Sequence, residues 1–205
     1  MKAIDVMKEE KVVAIIRTDT GEDALKLAYG AAAGGMKLIE ITYSVKNAPE
    51  VIRRLSAEKG IVLGAGTILD TEMAKSAIGA GASFIVSPHG DRDLIRYCAG
   101  QGVCVIPGCL TPTEVMAAYR AGTDIVKIFP ASTGGPGFIK ALRGPLPFIK
   151  YMPTGGVDRG NIKSYLAAGA FCAGIGGALL DKSQTEEETK IKAEELIKYL
   201  RSDDK

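Results

Sequence analysis

Asp124-Ile125-Val126-Lys127-Ile128-Phe129-Pro130 is a short apolar run with one lysine at its centre and a proline at its end. Gly122 precedes it, and the loop Ala131-Ser132-Thr133-Gly134-Gly135-Pro136-Gly137 follows. Turn signals on both sides of so short a run bound a strand. Side chains alternate along a strand, which puts Ile125, Lys127 and Phe129 on one face and Val126 and Ile128 on the other. Two largely apolar faces mark a parallel strand that is covered on both sides. Lys127 then points into the protein, where desolvation lowers the pKa of an ammonium and yields the free amine that attack on a carbonyl requires. From this strand alone, a lysine near a sheet edge that snorkels to solvent is an equal alternative.

Similar runs recur on both sides of this one. Strands are expected at Val12–Ile16, Leu38–Thr42, Ile61–Thr67, Phe84–Pro88, Val103–Pro107, Ile149–Pro153 and Phe171–Ile175. Helices are expected between them: Glu22–Ala33 capped by Thr18 or Asp19, Pro49–Lys59, Thr71–Ala80, Asp91–Gln101, Thr113–Ala121, Phe138–Leu142 and Asn161–Ala168. A short amphipathic helix, Ala3–Glu10, precedes the series, and a charged one, Glu186–Arg201, ends it. Strand–helix alternation implies parallel pairing through right-handed crossovers. Eight such units predict an α/β fold of the (β/α)8 TIM-barrel type, one domain over residues 1–205, with an open doubly wound sheet as the alternative.

The 205 residues are 46% hydrophobic and carry a net charge of +2, which gives no electrostatic case for nucleic acid or a membrane surface. No apolar run approaches a membrane span, and Met1 to Glu10 alternates acidic and basic residues without the apolar core of a secretion signal; the expectation is a cytoplasmic protein. Cys98, Cys104, Cys109 and Cys172 form no Cys-x-x-Cys pair and read as small core residues. His89 is the one histidine, which excludes a zinc site built from several imidazoles. No metal and no cofactor are expected.

In a barrel the active site forms at the carboxyl ends of the strands. Arg17 ends the first strand, Glu40 and Thr42 the second, Thr67 the third, Ser87-Pro88-His89 the fourth and Pro107-Gly108 the fifth. Lys127 and Phe129 lie in the sixth, Thr154-Gly155-Gly156 ends the seventh and Gly176-Gly177 the eighth. In the second strand Leu38, Glu40 and Thr42 share a face opposite Ile39 and Ile41. Glu40 therefore points inward if the isoleucines pack under helices, and Lys127 or Arg17 is its expected partner. A purely structural Glu–Lys pair is one reading. A lysine nucleophile beside a proton-carrying carboxyl group, the set that imine and enamine chemistry needs, is the other. The glycine pairs after the seventh and eighth strands suit an anion such as phosphate, which backbone N–H groups can approach closely there. His89, next to Pro88, is expected at the rim or in a capping role.

Together Ile39-Glu40-Ile41-Thr42, Gly64-Ala65-Gly66-Thr67, Ser87-Pro88, Ile106-Pro107-Gly108, Lys127-Ile128-Phe129-Pro130 and Pro153-Thr154-Gly155-Gly156 give the chain a resemblance to the bacterial 2-keto-3-deoxy-6-phosphogluconate (KDPG) aldolases, which also cleave 4-hydroxy-2-oxoglutarate (KHG). The resemblance runs from Val12 to about Leu180. It implies a metal-free barrel aldolase, usually a homotrimer, acting on small 2-oxo acids and aldehydes. By resemblance, Lys127 forms the imine and Glu40 moves protons. Arg17, Thr42, Thr67, Pro88 and Thr154 surround the pyruvyl group, Phe129 packs on the imine, and Gly155, Gly156, Gly176 and Gly177 receive the phosphate. The pattern departs in two places: Ser44 stands where some members carry a carboxylate-binding arginine, and Gly177 where many carry a phosphate-binding serine. Two other readings stand beside this one. One is a different phosphate-binding barrel enzyme, an isomerase or a thiamine-phosphate-synthase-like protein. The other is a non-catalytic barrel that binds a phosphorylated metabolite.

Overall fold

The computed structural model describes residues 2–123 and 125–202; Asp124, the first residue of the stretch quoted above, and Met1 lie outside the described residues. Six strands pair in parallel in one sheet: β1 (Val12–Ile16), β2 (Leu38–Thr42), β3 (Val62–Gly66), β4 (Phe84–Val86) and β5 (Cys104–Ile106) in succession, with β9 (Ala173–Ile175) on the other side of β1. A second sheet holds β6 (Gly108–Cys109), β7 (Ile125–Ile128) and β8 (Lys150–Pro153). The two sheets close on each other at both seams. A parallel bridge joins Thr154 to Gly174, and the Phe171 N–H donates to the Tyr151 carbonyl at 2.8 Å. At the other seam the chain runs from β5 straight into β6, and the Lys127 N–H donates to the Pro107 carbonyl at 2.8 Å. The result is the expected barrel, with its fifth strand in two pieces.

That division corrects the sequence reading, which ended the fifth strand at Pro107. Proline has no N–H to give to a neighbouring strand, so the ladder breaks there, yet the backbone stays extended and resumes pairing at Gly108.

The helices are α1 (Ala3–Glu10), α2 (Gly21–Ala33), α3 (Ala48–Leu55), α4 (Thr71–Gly79), α5 (Arg92–Gly100), α6 (Pro112–Ala121), α7 (Gly135–Arg143), α8 (Ile162–Ala167) and α9 (Glu186–Arg201). Neither Thr18 nor Asp19 caps α2. Thr20 does, its hydroxyl accepting from the Asp23 N–H at 3.1 Å, while the Thr18 hydroxyl donates to the Thr20 carbonyl. A second correction is α7, which starts at Gly135 rather than Phe138 because Pro136 suits a first helical turn. Glu114 and Glu188 complete capping boxes with Thr111 and Thr185 at the starts of α6 and α9.

The strands divide the core in two. Outward side chains such as Ile39, Ile41, Val126 and Ile128 pack under the helices against residues such as Leu27, Ile52, Leu94 and Ile139. Inward ones, Val13, Leu38, Phe84, Val86, Ile106, Ile125, Met152 and Cys172, fill the lower half of the barrel, and Ala3, Val6 and Met7 of α1 plug it from below. The parity read from the sequence for β2 and β7 is thus the observed one. Among the described residues no helix is long and apolar enough to cross a membrane.

Candidate active site

Above the apolar floor the inner face turns polar. Lys127 follows Ile125 on the inward side of β7, is 6% exposed, and has its ammonium nitrogen 4.6 Å from the centre of the Phe129 ring. Glu40 follows Leu38 on β2 and is 1% exposed; its Oε2 makes no hydrogen bond among the described residues. Burial raises the Glu40 carboxyl pKa, opposed by the nearby charges of Lys127 and Arg17. Burial also lowers the Lys127 pKa, opposed by Glu40 and assisted by Arg17. Desolvation is the largest influence on both groups, so both are driven toward their uncharged forms, an amine and a carboxylic acid.

The room for that carboxyl comes from β3. Gly64 lies opposite Glu40 in the ladder, and a Cβ on Gly64 would collide with the Phe84 ring. A Cβ on Gly66 would collide with the Glu40 carboxyl itself. Two bare positions on one strand thus let the neighbouring strands lean across it. Gly66→Ala is expected to lower kcat at least roughly 100-fold by displacing the proton-carrying group. It should also cost about 1–3 kcal/mol of stability through overpacking. Turnover and a urea melt on the same preparation check both.

Arg17, one residue past β1, reaches across the top of the barrel. Its Nη1 donates to Ser44 Oγ at 2.9 Å and its Nη2 to Thr67 Oγ1 at 3.0 Å. Thr67 holds φ at 58°, a left-handed turn that carries the chain off the end of β3. Thr42 is fully buried, and its hydroxyl donates to the Ile16 carbonyl at 3.0 Å, so it faces the barrel wall. Pro88 sits where its carbonyl packs on Gly108, the residue opposite Lys127 in the ladder. His89 is exposed on the loop after β4, its Nε2 3.2 Å from the Leu69 carbonyl, which is a rim position.

A cavity of about 320 Å³ opens over Lys127 and gathers Arg17, Phe129, Thr154, Gly155, Gly156, Gly176 and Gly177 on its walls. Gly155 and Gly156 hold φ at 84° and 83°, where only glycine is unstrained. Their loop is fixed from behind: the Ala131 N–H donates to the Thr154 carbonyl, the Ser132 N–H to Gly155 and the Asn161 amide to Gly156. Glu40, Thr42, Thr67 and Pro88 do not line this cavity; Glu40 lies in the floor beside Lys127, and Thr67 acts on the site through Arg17. Sequence reasoning missed Ile15 and Asp158, which also line it; Asp158 could have been suspected from its place two residues beyond Gly156. A larger cavity, about 520 Å³, lies at the opposite end beside Ala3, Cys104 and Ile125. Among the described residues Lys2 is the one charged side chain lining it.

An amine whose burial favours loss of its proton can condense with a ketone, and a buried carboxyl group at its side can supply and reclaim the protons of that condensation. This chemistry defines the protein as a carbon–carbon lyase, an aldolase working through a Schiff base on a barrel scaffold. The family description "KDPG and KHG aldolase" matches residues 3–195, and the chain belongs to that family. It is 36% identical over 199 residues to the 2-dehydro-3-deoxy-phosphogluconate aldolase of Pseudomonas aeruginosa, covering 94% of this chain and 90% of that one. It is 34% identical over 193 residues to the 2-dehydro-3-deoxy-6-phosphogalactonate aldolase of Escherichia coli, covering 93% and 94%. Its fold matches the KDPG aldolase of Legionella pneumophila, solved with pyruvate captured as a covalent carbinolamine, with a TM-score of 0.87 and 27% identity over 96% of this chain and 98% of that one.

Proposed function

We propose that the protein cleaves a 2-keto-3-deoxy-6-phospho sugar acid to pyruvate and glyceraldehyde 3-phosphate, 4-hydroxy-2-oxoglutarate to pyruvate and glyoxylate, or both. The observation that carries the mechanism is the buried Lys127 amine beside the buried Glu40 carboxyl. The Lys127 nitrogen adds to the C2 carbonyl, and the carbinolamine loses its hydroxyl as water, taking a proton from the Glu40 acid. The resulting iminium is the electron sink that a metal ion provides in other aldolases. Glu40, now a carboxylate, accepts the C4 hydroxyl proton, and the C3–C4 bond breaks. Its electron pair flows into the iminium to give an enamine, and the aldehyde departs. Glu40 returns the proton to C3, water hydrolyses the new iminium to pyruvate and free Lys127, and the proton released there restores the Glu40 acid. One proton-carrying group thus serves three steps in turn.

In this reading Arg17 and Thr67 hold the 2-oxo acid carboxylate, Pro88 and Thr154 border the pyruvyl group, and Phe129 packs on the imine. Gly155, Gly156, Gly176 and Gly177 receive the phosphate through their backbone, without the serine hydroxyl that many members have at the position of Gly177. The deciding experiment is incubation with pyruvate and borohydride followed by intact mass and peptide mapping. The expected result is one reduced adduct, on Lys127. Absence of any adduct would overturn the aldolase mechanism.

We place the enzyme in the cytoplasm as a homotrimer, the form its family resemblance implies. Light scattering behind a sizing column should then give three times the 21.5 kDa chain mass, and a monomeric mass would overturn that assembly.

A further inference from the structure

The hydrogen bonds around Arg17 have a direction. Thr42 has a single hydroxyl hydrogen, and it goes to the Ile16 carbonyl, which can only accept. The 2.9 Å contact between the Thr42 and Ser44 hydroxyls is therefore a donation from Ser44 to Thr42. Ser44 Oγ is left as an acceptor, and Arg17 Nη1 donates to it at 2.9 Å. The chain runs from a guanidinium through two hydroxyls to the carbonyl of the residue just before Arg17, so the arginine is held by its own strand through the edge of the next. Each member polarises the one after it.

A competitor lies close by. An outer cavity of about 420 Å³ is lined by Arg17, Ser44, Gly177, Asp19, Asp181 and Lys182, and Asp19 is paired there with Lys182 at 2.5 Å. Arg17 thus stands between two cavities, one lined by Lys127 and Asp158 and one by Asp19 and Asp181. Ser44, exposed on the wall of the outer cavity, accepts from Nη1 while Thr67 accepts from Nη2, and the two hydroxyls together set the direction of the guanidinium.

We propose that Ser44, backed by Thr42, is a positioning residue for recognition of the 2-oxo acid: it holds Arg17 over the Lys127 cavity and away from Asp19 and Asp181. This rests on the reading that Arg17 binds the substrate carboxylate. Thr42 then contributes from within the wall, without touching substrate.

The test is the concentration dependence of borohydride trapping by pyruvate and by methyl pyruvate, which has the same ketone without the charge. Ser44→Ala should raise the half-saturating pyruvate concentration about tenfold, the scale of one hydrogen bond to a charged group. It should leave methyl pyruvate unchanged, and Ser44→Thr, which keeps the acceptor, should restore the parent value. Arg17→Gln should show at least the Ser44→Ala effect, and the double variant no more than Arg17→Gln alone, because the serine acts through the arginine. If Arg17→Gln weakens pyruvate and Ser44→Ala does not, or if the two effects add, the positioning role is overturned while the carboxylate reading stands. If neither variant changes pyruvate, the carboxylate reading falls, and the proposal with it.

Discussion

Lys127→Arg protein is expected to cleave no substrate: kcat falls by more than about a thousandfold, and borohydride traps no adduct. The substitution keeps the positive charge but replaces an amine that burial drives toward its neutral form by a guanidinium that stays protonated at any accessible pH. Without a lone pair on that nitrogen, no bond to C2 forms and no electron sink exists for the later steps. Lys127→Met gives the matching control. It removes a buried ammonium at similar volume and is expected to be as inactive while melting no lower than the parent. Release of pyruvate from substrate at a hundredth of the parent rate or more in Lys127→Arg would sink the imine mechanism.

Glu40→Gln should follow closely, with kcat lowered roughly 100- to 10,000-fold and the cavity under Gly66 still filled by an isosteric amide. It also tests the electrostatics. Burial is the main force lowering the Lys127 pKa, and the Glu40 charge is the main force opposing it. Removing that charge lets the amine titrate at still lower pH. Trapping of pyruvate on Lys127, slower in this variant, should therefore reach half its plateau at a lower pH than in the parent. An unchanged or raised midpoint would overturn this charge coupling between Glu40 and Lys127.

The sequence was most legible where a strand's period of two met a single charge. Ile39 and Ile41 on one side and Ile125 on the other were enough to aim Glu40 and Lys127 into the barrel, and the packing follows that parity. The first glycine pair was legible as a turn for a related reason, since Gly155 and Gly156 adopt the left-handed backbone that few other residues tolerate, which Gly176 and Gly177 do not. What stayed hidden depends on distances between segments far apart in the chain. Gly66 read only as part of the third strand, because nothing local reveals that the Glu40 carboxyl fills the space a side chain would need. Arg17 read as the stand-in for the arginine missing at Ser44, but the hydrogen bond that joins the two across 27 residues of chain was not legible. Pro107 read as a strand end because its lost donor is local, whereas the pairing that resumes at Gly108 is made with β7. Thr20 lost out to Thr18 and Asp19 as the cap of α2 for lack of a register that only the folded turn supplies.

The α1 plug has a consequence for turnover. Val13, Leu38, Phe84, Ile106 and Met152, all fully buried, lie between it and the Lys127–Glu40 pair, so packed apolar side chains close the barrel beneath that pair. A substrate seated over Lys127 occupies the route by which anything else would leave. On the proposed mechanism, the water expelled when the iminium forms meets only packed apolar side chains below, and it is expected to be at hand when the last step consumes a water. Over one residence of substrate, dehydration and hydrolysis can draw on the same molecule, and an oxygen label placed on the ketone should reappear in the released pyruvate more often than free exchange with solvent allows.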